Sequence, residues 1–416
     1  MPRDKNHPKD VCSQFVKRYT GMTVRSLNLV IGIDATNLRR GGGVTHLVEL
    51  LAAAEPGQQG ITRVVIWSGS QTMAAVADRP WLDKRQPAAL DRGLLQRTWW
   101  QRRQLSMEAV SAGCDVLFVP GGSYAGRFRP VVTMSQNLLP FELKELLRFG
   151  WSVVTLRLRL LRWTQSRSFR RADGVIFLTQ AAKASVFRVT GPLKAKSPII
   201  PHGLNPRFRL TPRRQRSIDS YHAERPYRLV YVSIINQYKH QWHVVEAVSA
   251  LRQEGLPLVL DLVGPAYPPA LSRLNSAIAH CDPEREWVHY HGAVAYSELH
   301  DLYAQADLGV FASSCENLPI ILLETMAAGL PVASSDRGPM PEVLGDAGVY
   351  FDPEQPDDIA RALRELITSP ALRAEKAEGS YTAALAFEWK RCADDTFSFL
   401  ARVAADCRER VAPYAG

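Results

Sequence analysis

Short apolar segments with the length of β-strands alternate with helical stretches along the chain, and the whole pattern occurs twice. In the first half these segments are residues 27–35, 62–68, 115–120, 131–135 and 174–179. In the second half they are residues 227–233, 258–264, 288–292, 308–313, 330–335 and 348–351. Runs that are apolar throughout are typical of parallel strands covered by helices on both faces. The chain is therefore predicted to be an α/β protein with two doubly wound domains in tandem.

Breaks in this pattern suggest where the parts of the chain begin and end. The predicted parts are a basic N-terminal extension at 1–26, a first domain at 27–205, a linker at 206–226, a second domain at 227–385 and a C-terminal helix at 386–416. The linker is recognised by its basic, proline-containing start without an apolar period. The last helix is predicted over 387–407 from its aromatic residues at helical spacing.

The two halves of the chain carry opposite net charges. Residues 1–216 contain 35 Lys and Arg against 13 Asp and Glu, a net charge of +22, whereas residues 217–416 contain 16 against 28, a net charge of −12. Such an asymmetry suggests that the first half faces an anionic surface or partner, although solvated surface charge is the alternative.

Arginines are concentrated at 148–171, where they alternate with Trp and Leu and no acidic residue occurs. This composition suits an anionic membrane interface. The alternative is that the apolar residues of the stretch belong to the core, namely Trp151, Leu156, Leu160 and Trp163. Nucleic acid could use the same charge, but no nucleic-acid recognition motif accompanies it. The chain contains no apolar run of about 18 residues, so a soluble or peripheral protein is expected.

The segment C-E-N-L-P-I-I-L-L-E, residues 315–324, places two carboxylates around an apolar run. It follows a predicted strand, and ligands of open α/β sheets bind beyond the carboxyl ends of strands. Pro319 suits the first turn of a helix capped by Asn317 or Leu318. Glu316 and Glu324 then either have protein partners, as a cap and an ion pair, or accept hydrogen bonds from ligand hydroxyls.

This segment and its continuation to Asp336 closely resemble the E-x7-E signature of the retaining family 4 (group 1) glycosyltransferases, which have the GT-B fold. Further matching segments follow the family's order: G-G-G-V, I-P-H-G-L-N, Y-K-H-Q, L-V-G, H-G-A-V-A-Y-S-E-L-H, P-E-V-L-G-D-A-G-V-Y-F-D-P and F-E-W-K. The resemblance covers about residues 27–400. It implies two Rossmann-like domains that face each other across a cleft, with the last helix crossing back to the first domain.

The resemblance also implies roles for individual residues. Glu316 would bind hydroxyls of the transferred sugar, Glu324 the ribose hydroxyls, and Lys239 the diphosphate leaving group. The other residues that it places at the donor are Asn317, Leu318, Pro319, Gly264, Val294, Gly42 and Gly43. Those that it places at the acceptor or in the cleft are Gly41, Asn137 and His202.

Two departures from the family's pattern, and the absence of one metal-binding motif, bear on the chemistry. No Arg precedes Lys239, so another group must supply the second positive charge. Gln136 and Asn137 stand where many relatives have a catalytic His, and a neutral amide can orient a hydroxyl but cannot act as a general base. No Asp-x-Asp pair occurs, so a metal-independent reaction without a cofactor is expected.

Together these features predict a hexosyltransferase-type enzyme (EC 2.4) that uses a nucleoside-diphosphate sugar. The expected acceptor is a lipid-linked surface polysaccharide, as in lipopolysaccharide, capsule or exopolysaccharide synthesis. The expected location is the cytoplasm, at the inner face of the plasma membrane. The alternatives are a nucleotide-sugar epimerase of the same fold, or a non-catalytic protein that binds anionic lipid or nucleic acid.

Overall fold

A computed structural model of the chain describes residues 28–39 and 41–411, and the predicted extension at 1–26 lies outside them. These residues form twelve strands in two six-stranded sheets, and all the pairings between strands are parallel. The first sheet contains β1 (Leu29–Asp34), β2 (Ile61–Trp67), β3 (Leu82–Arg85), β4 (Val116–Val119), β5 (Val131–Met134) and β6 (Gly174–Ile176). The second contains β7 (Tyr227–Val232), β8 (Leu258–Val263), β9 (Val288–Tyr290), β10 (Leu308–Phe311), β11 (Val332–Ser335) and β12 (Gly348–Phe351).

Both sheets have the same topology. The strand order is β3-β2-β1-β4-β5-β6 in the first and β12-β11-β10-β7-β8-β9 in the second, which is one order written from opposite ends. In each sheet the chain starts at a central strand, extends to one edge and then returns to build the other. This is the doubly wound Rossmann-like order, in which ligands bind at the carboxyl ends of the strands near the switch point. The prediction of two such domains is confirmed.

The first sheet also holds a strand that the sequence did not predict. Strand β3 reads L-D-K-R, and all four residues are half-buried. It lies at the edge of the sheet and pairs only with β2. Edge strands are often short and charged because they must not pair with other chains. Such a strand lacks the continuous apolar run on which the prediction depended.

Helices cover both faces of each sheet. Those of the first domain are α1 (Gly42–Ala53), α2 (Ser70–Ala75), α3 (Leu94–Arg103), α4 (Leu105–Ser111), α5 (Leu143–Leu147), α6 (Val153–Arg171) and α7 (Gln180–Thr190). The later ones are α8 (Gln241–Gln253), α9 (Pro268–Cys281), α10 (Leu299–Gln305), α11 (Ile320–Ala327), α12 (Met340–Leu344), α13 (Pro356–Thr368), α14 (Pro370–Ala384) and α15 (Trp389–Val411). Helix α13 shows why such helices were predictable, because Pro356 opens it and two aspartates occupy its first turn.

The last helix, α15, crosses from the second domain to the first. The Leu204 amide donates to the Phe387 carbonyl just before the helix, at 3.0 Å. Near the other end, Lys196 pairs with Asp406 at 2.7 Å. Phe399, between them, is buried. The predicted return of the C-terminal helix to the first domain is therefore confirmed.

Replacing Gly203 by alanine is expected to destabilise the protein. A Cβ at Gly203 would lie 2.1 Å from the backbone nitrogen of Trp389, where α15 begins. Overpacking of this kind costs about 1–3 kcal/mol, so we expect a clear fall in the midpoint of thermal unfolding. Gly57→Ala is the matched control, because an added Cβ there meets nothing within 4 Å. Equal midpoints for the two variants would contradict the tight contact.

The arginine-rich stretch forms α6 and the residues just before it. Apolar side chains are exposed at several of its positions, with 98% exposure for Trp151, 70% for Leu156 and 62% for Trp163, although Leu158 and Phe169 are buried. Leu160 is also exposed. The alternative that these residues belong to the core is therefore wrong. Within 28–39 and 41–411, no helix combines the length and the apolarity needed to cross a bilayer.

Candidate active site

A cleft of about 430 Å³ lies between the two domains, at the carboxyl ends of the strands. The first domain contributes the start of α1 and the segment that follows β5. The second domain contributes the segment between β10 and α11, together with the first turns of α11. The two doubly wound sheets thus present their ligand-binding edges to each other.

This cleft brings together most of the predicted site residues. Those that line it are Gly42, Gly43, Gln136, Asn137, His202, Glu316, Asn317, Leu318 and Glu324. Those that do not line it are Gly41, Lys239, Gly264, Val294 and Pro319.

Lys239 lies directly behind Glu316. Its ammonium group forms an ion pair with the Glu316 carboxylate, and the side chains are only 6% and 16% exposed. The ammonium also lies 5.4 Å from the centre of the Phe311 ring, at the end of β10. The structure therefore gives Glu316 a protein partner. Because Glu316 lines the cleft, the pair places a positive charge one side chain away from whatever the cleft binds.

Glu324 lies in α11 and is almost fully buried. One carboxylate oxygen accepts a hydrogen bond from the Tyr296 hydroxyl at 3.1 Å. The other oxygen is buried and has no hydrogen-bond partner among the described residues. Burial raises the pKa of Glu324 to about 8, although Tyr296 and Arg207 act in the opposite direction. A carboxyl group in this state has an open hydrogen-bonding position that a ligand hydroxyl can fill.

The start of α11 differs in detail from the sequence prediction. Pro319 is the N-cap and not part of the first turn, and no side chain caps the helix. Asn317, one of the predicted caps, instead extends its side chain to the first domain, where the amide donates to the Ser135 carbonyl at 2.6 Å. The helix N–H groups are therefore left without a side-chain acceptor beside the cleft.

The remaining predicted residues have structural surroundings. Gly41 is the N-cap of α1, with φ at 74°. Gly264 has φ at 143°, and a Cβ there would lie 2.2 Å from the Ser233 carbonyl oxygen, so the loop after β8 needs glycine. Val294 is half-buried against the core of the second domain.

Hydrogen bonds hold the two domains together around the cleft. The Thr179 hydroxyl, at the start of α7, donates to the Asn317 carbonyl at 2.9 Å. Across the same boundary, the Glu342 carboxylate accepts from the amides of Gln180 and Ala181 at 2.7 and 2.9 Å. A carboxylate at a helix N-terminus is favoured by the helix dipole. The cleft is thus enclosed by polar contacts between domains that no sequence pattern indicated.

His46 is a cleft residue that the sequence analysis missed. It lies one turn into α1, and its ring stacks on that of His202 with the centres 4.3 Å apart. The Gln136 amide nitrogen lies 3.2 Å from Nδ1 of His46. Nε2 of His46 is buried and has no hydrogen-bond partner in the described part of the chain. Burial lowers the pKa of His46 to about 3 and the pKa of His202 well below its ordinary value. Both imidazoles are therefore neutral near pH 7. The only feature of the sequence that could have indicated His46 is its position four residues after the predicted site residue Gly42.

The chain is similar in sequence to known glycosyltransferases. Residues 213–382 match the family described as glycosyl transferases group 1. The O-antigen chain mannosyltransferase B of Escherichia coli is 32% identical over 112 residues, which are 27% of this chain and 29% of that protein. A GDP-mannose-dependent alpha-(1-6)-phosphatidylinositol monomannoside mannosyltransferase of Mycobacterium tuberculosis is 30% identical over 233 residues, which are 52% of this chain and 57% of that protein. The matches thus span less than two thirds of the length of each of these relatives.

Solved structures extend the similarity to nearly the whole chain. Sucrose-phosphate synthase from Thermosynechococcus elongatus has a TM-score of 0.69 at 16% identity, covering 91% of this chain and all of that one. WaaG, a glycosyltransferase involved in lipopolysaccharide biosynthesis, has a TM-score of 0.64 at 16% identity, covering 89% of this chain and 99% of that one. At such identities the likeness shows the fold. The fold is GT-B, and the family match supports a group 1 glycosyltransferase.

Proposed function

We propose that the protein is a retaining, family 4 hexosyltransferase that moves a sugar from a nucleoside-diphosphate sugar to a glycan acceptor. The observation that carries this proposal is the pair of carboxyl groups on one wall of the cleft. Glu316 is ion-paired with Lys239, whereas Glu324 keeps one buried oxygen without a partner. The ion pair, with the cation of Lys239, suits a site where negative charge develops. The free oxygen of Glu324 suits the binding of a neutral hydroxyl group.

Lys239 stabilises the leaving diphosphate in this proposal. Charge grows on the phosphate oxygens as the glycosidic bond breaks, and a cation held behind Glu316, one side chain away from the cleft, stabilises that charge without rearrangement. The uncapped N-terminus of α11 adds unpaired N–H groups and a partial positive charge. These two groups take the place of the Arg that the family pattern has before the Lys.

The donor's hydroxyl groups are assigned to the two glutamates. Glu316 accepts hydrogen bonds from hydroxyls of the transferred sugar, while its ion pair with Lys239 holds the lysine in place. Glu324 accepts from the ribose hydroxyls through its free oxygen. Hydrogen bonds between the Glu316 carboxylate and hydroxyls are stronger than those between neutral groups, which favours a polar sugar over other occupants of the cleft.

The acceptor hydroxyl is positioned by the first domain. Gln136 and Asn137 line the cleft opposite Glu316 and orient the hydroxyl by hydrogen bonds. His46 and His202 are neutral and supply further hydrogen-bonding nitrogens. The acceptor's proton passes to the leaving phosphate, as the retaining front-face mechanism requires, so no side chain serves as general base.

A lipid-linked acceptor at the inner face of the plasma membrane completes the proposal. The first half of the chain carries a net charge of +22, and exposed Trp and Leu side chains lie among the arginines of α6. Among the relatives, one is named for the O-antigen chain and another for a phosphatidylinositol mannoside. Both names combine a sugar transfer with a surface glycan or a lipid.

Binding of nucleotide sugars tests the central step. We expect one nucleoside-diphosphate sugar from a panel of UDP, GDP, ADP and dTDP sugars to raise the thermal unfolding midpoint, because a ligand at 100 times its Kd stabilises the folded state by about 2.7 kcal/mol. Hydrolysis or transfer of that donor should persist in EDTA. A panel without any shift would contradict the proposed function, and loss of activity in EDTA would contradict the metal-independent mechanism.

A further inference from the structure

A second cavity lies on the first domain, outside the cleft between the domains. It is a groove of about 440 Å³ along the outer face of α6. The residues that line it are Arg159, Arg162, Trp163, Ser166, Arg167, Arg170, Arg171 and Val189. We call it the arginine groove. It shares no lining residue with the cleft that contains Glu316.

The charge of this groove is not neutralised by the protein. Within the part of the chain that the structure describes, none of its five arginines forms an ion pair with a carboxylate. Arg170 is instead fixed by donating to the Thr190 and Val189 carbonyls at 3.2 and 3.3 Å, at the end of α7. Like charges that are held close together without counter-ions repel each other, and an anion in the groove would remove that cost.

Ser166 provides an independent indication of a ligand. It lies among the arginines and is only 5% exposed, and its hydroxyl has no hydrogen-bond partner within residues 28–39 and 41–411. A buried hydroxyl without a partner costs about 1–3 kcal/mol. Most such groups in proteins are satisfied by protein, water or ligand. A hydroxyl that donates and guanidinium groups that donate in pairs together match the oxygens of a phosphate group.

The surface around the groove is apolar as well as basic. Leu156, Leu160 and Trp163 lie on the same side of α6 as the arginines, given 100° per residue, and all three are exposed. Trp151, just before the helix, is 98% exposed, and the Arg159 guanidinium lies 5.9 Å from its ring centre. Arginine beside exposed Trp and Leu is the composition of a surface that lies in the membrane interface.

We propose that the arginine groove is a discrete binding site for the phosphate headgroup of an anionic membrane lipid. Arg162 and Arg167 hold the phosphate oxygens, Ser166 donates a further hydrogen bond, and the flanking apolar side chains enter the acyl boundary. This assignment rests on the membrane-facing part of the proposed function and not on sugar transfer. Free phosphate offers the same oxygens but leaves the exposed Trp and Leu side chains in water.

Vesicle binding tests the groove. The full chain is floated with phosphatidylcholine vesicles that contain either phosphatidic acid or, at matched surface charge, oleate. We expect tighter binding to phosphatidic acid. Arg162→Gln with Arg167→Gln should weaken that binding roughly 30-fold, because each basic residue near an anionic membrane contributes about 1 kcal/mol. Ser166→Ala should reduce the preference for phosphatidic acid over oleate and leave oleate binding unchanged.

The matched control is Arg157→Gln with Arg127→Gln. Both arginines are exposed in the first domain and neither lines the groove, so the same charge is removed elsewhere. An equal loss of vesicle binding in both double variants would show that the attraction to the membrane is diffuse. That result, or equal binding of the wild type to the two vesicle types, would overturn the proposed binding site. Binding of a single-stranded oligonucleotide that depends on Arg162 and Arg167 and exceeds vesicle binding would overturn it in favour of nucleic acid. Competition by pyrophosphate without vesicle binding would overturn the lipid assignment.

The same variants separate this proposal from the proposed function. Thermal unfolding without ligand checks that each variant is folded. The shift produced by a nucleotide sugar should be unchanged in all of them, because the groove is separate from the cleft. Phosphatidic acid binding in a protein that no nucleotide sugar stabilises would leave the groove assignment standing and remove only the transfer reaction.

Discussion

Lys239→Ala is expected to reduce sugar transfer by about 10²–10³-fold, the loss that follows when one fixed group that stabilises transition-state charge is removed. The loss should lie mainly in kcat, because the leaving diphosphate gains charge only as the bond breaks. Steady-state kinetics with the donor found in the binding screen measures both constants. Lys194→Ala is the control, since Lys194 is exposed in the first domain and does not line the cleft.

Removing one or the other partner of this ion pair should lower the stability of the folded protein by different amounts. Lys239→Ala leaves a carboxylate that is 16% exposed and borders the cleft, whereas Glu316→Gln leaves an ammonium group that is 6% exposed. An uncompensated buried charge costs about 3–5 kcal/mol, so Glu316→Gln should lower the unfolding midpoint more. Wild-type transfer rates in Lys239→Ala would rule out its assigned role, and equal midpoints for both variants would argue against the buried pair.

The fold was largely predictable because most of its helices and strands can be recognised from short, local sequence patterns. Short segments rich in apolar residues mark eleven of the twelve strands that the described residues form, and Pro and Asp mark the start of helices such as α13. Strand β3 escaped because an edge strand needs no apolar run. The length and order of the segments then left the doubly wound arrangement as the natural solution.

The site was predictable only in part, because its geometry depends on contacts between distant segments. The sequence, through its family resemblance, indicated Lys239 and Glu316 separately, but it did not show that they pair across 77 positions. Likewise, His46 and His202 stack although they lie far apart in the chain. The exposure of Trp151 is a third case, since apolar spacing on a helix fits a core as well as a membrane face. Local patterns carry no information about which alternative the tertiary structure selects.

Glu324→Gln is expected to change how stability depends on pH. The pKa of Glu324 in the folded protein is about 8, above its ordinary value of 4.5, because burial disfavours the charged form. Below pH 4.5 the carboxyl group is protonated in both the folded and unfolded states, so it imposes no charge penalty. As the pH rises from 4.5 through 8, only the unfolded state ionises freely, and wild-type stability falls. Glutamine mimics the protonated form at every pH and avoids this loss.

The variant should therefore match the wild type near pH 5 and unfold at a higher temperature near pH 9. The shift from 4.5 to about 8, at about 1.36 kcal/mol per pKa unit, corresponds to roughly 5 kcal/mol. Since about 1 kcal/mol shifts the midpoint by roughly 2–4 °C in a domain of this size, the gain should be roughly 10 °C or more. Glu284→Gln, at an exposed position, is the control and should follow the wild-type profile. Above pH 8, where Glu324 is ionised, the nucleotide sugar should stabilise Glu324→Gln less than the wild type, because an amide oxygen accepts hydroxyl hydrogen bonds more weakly than a carboxylate. A constant difference between variant and wild type at all pH values would refute the buried, protonated Glu324, and an undiminished donor shift would refute its contact with the ribose.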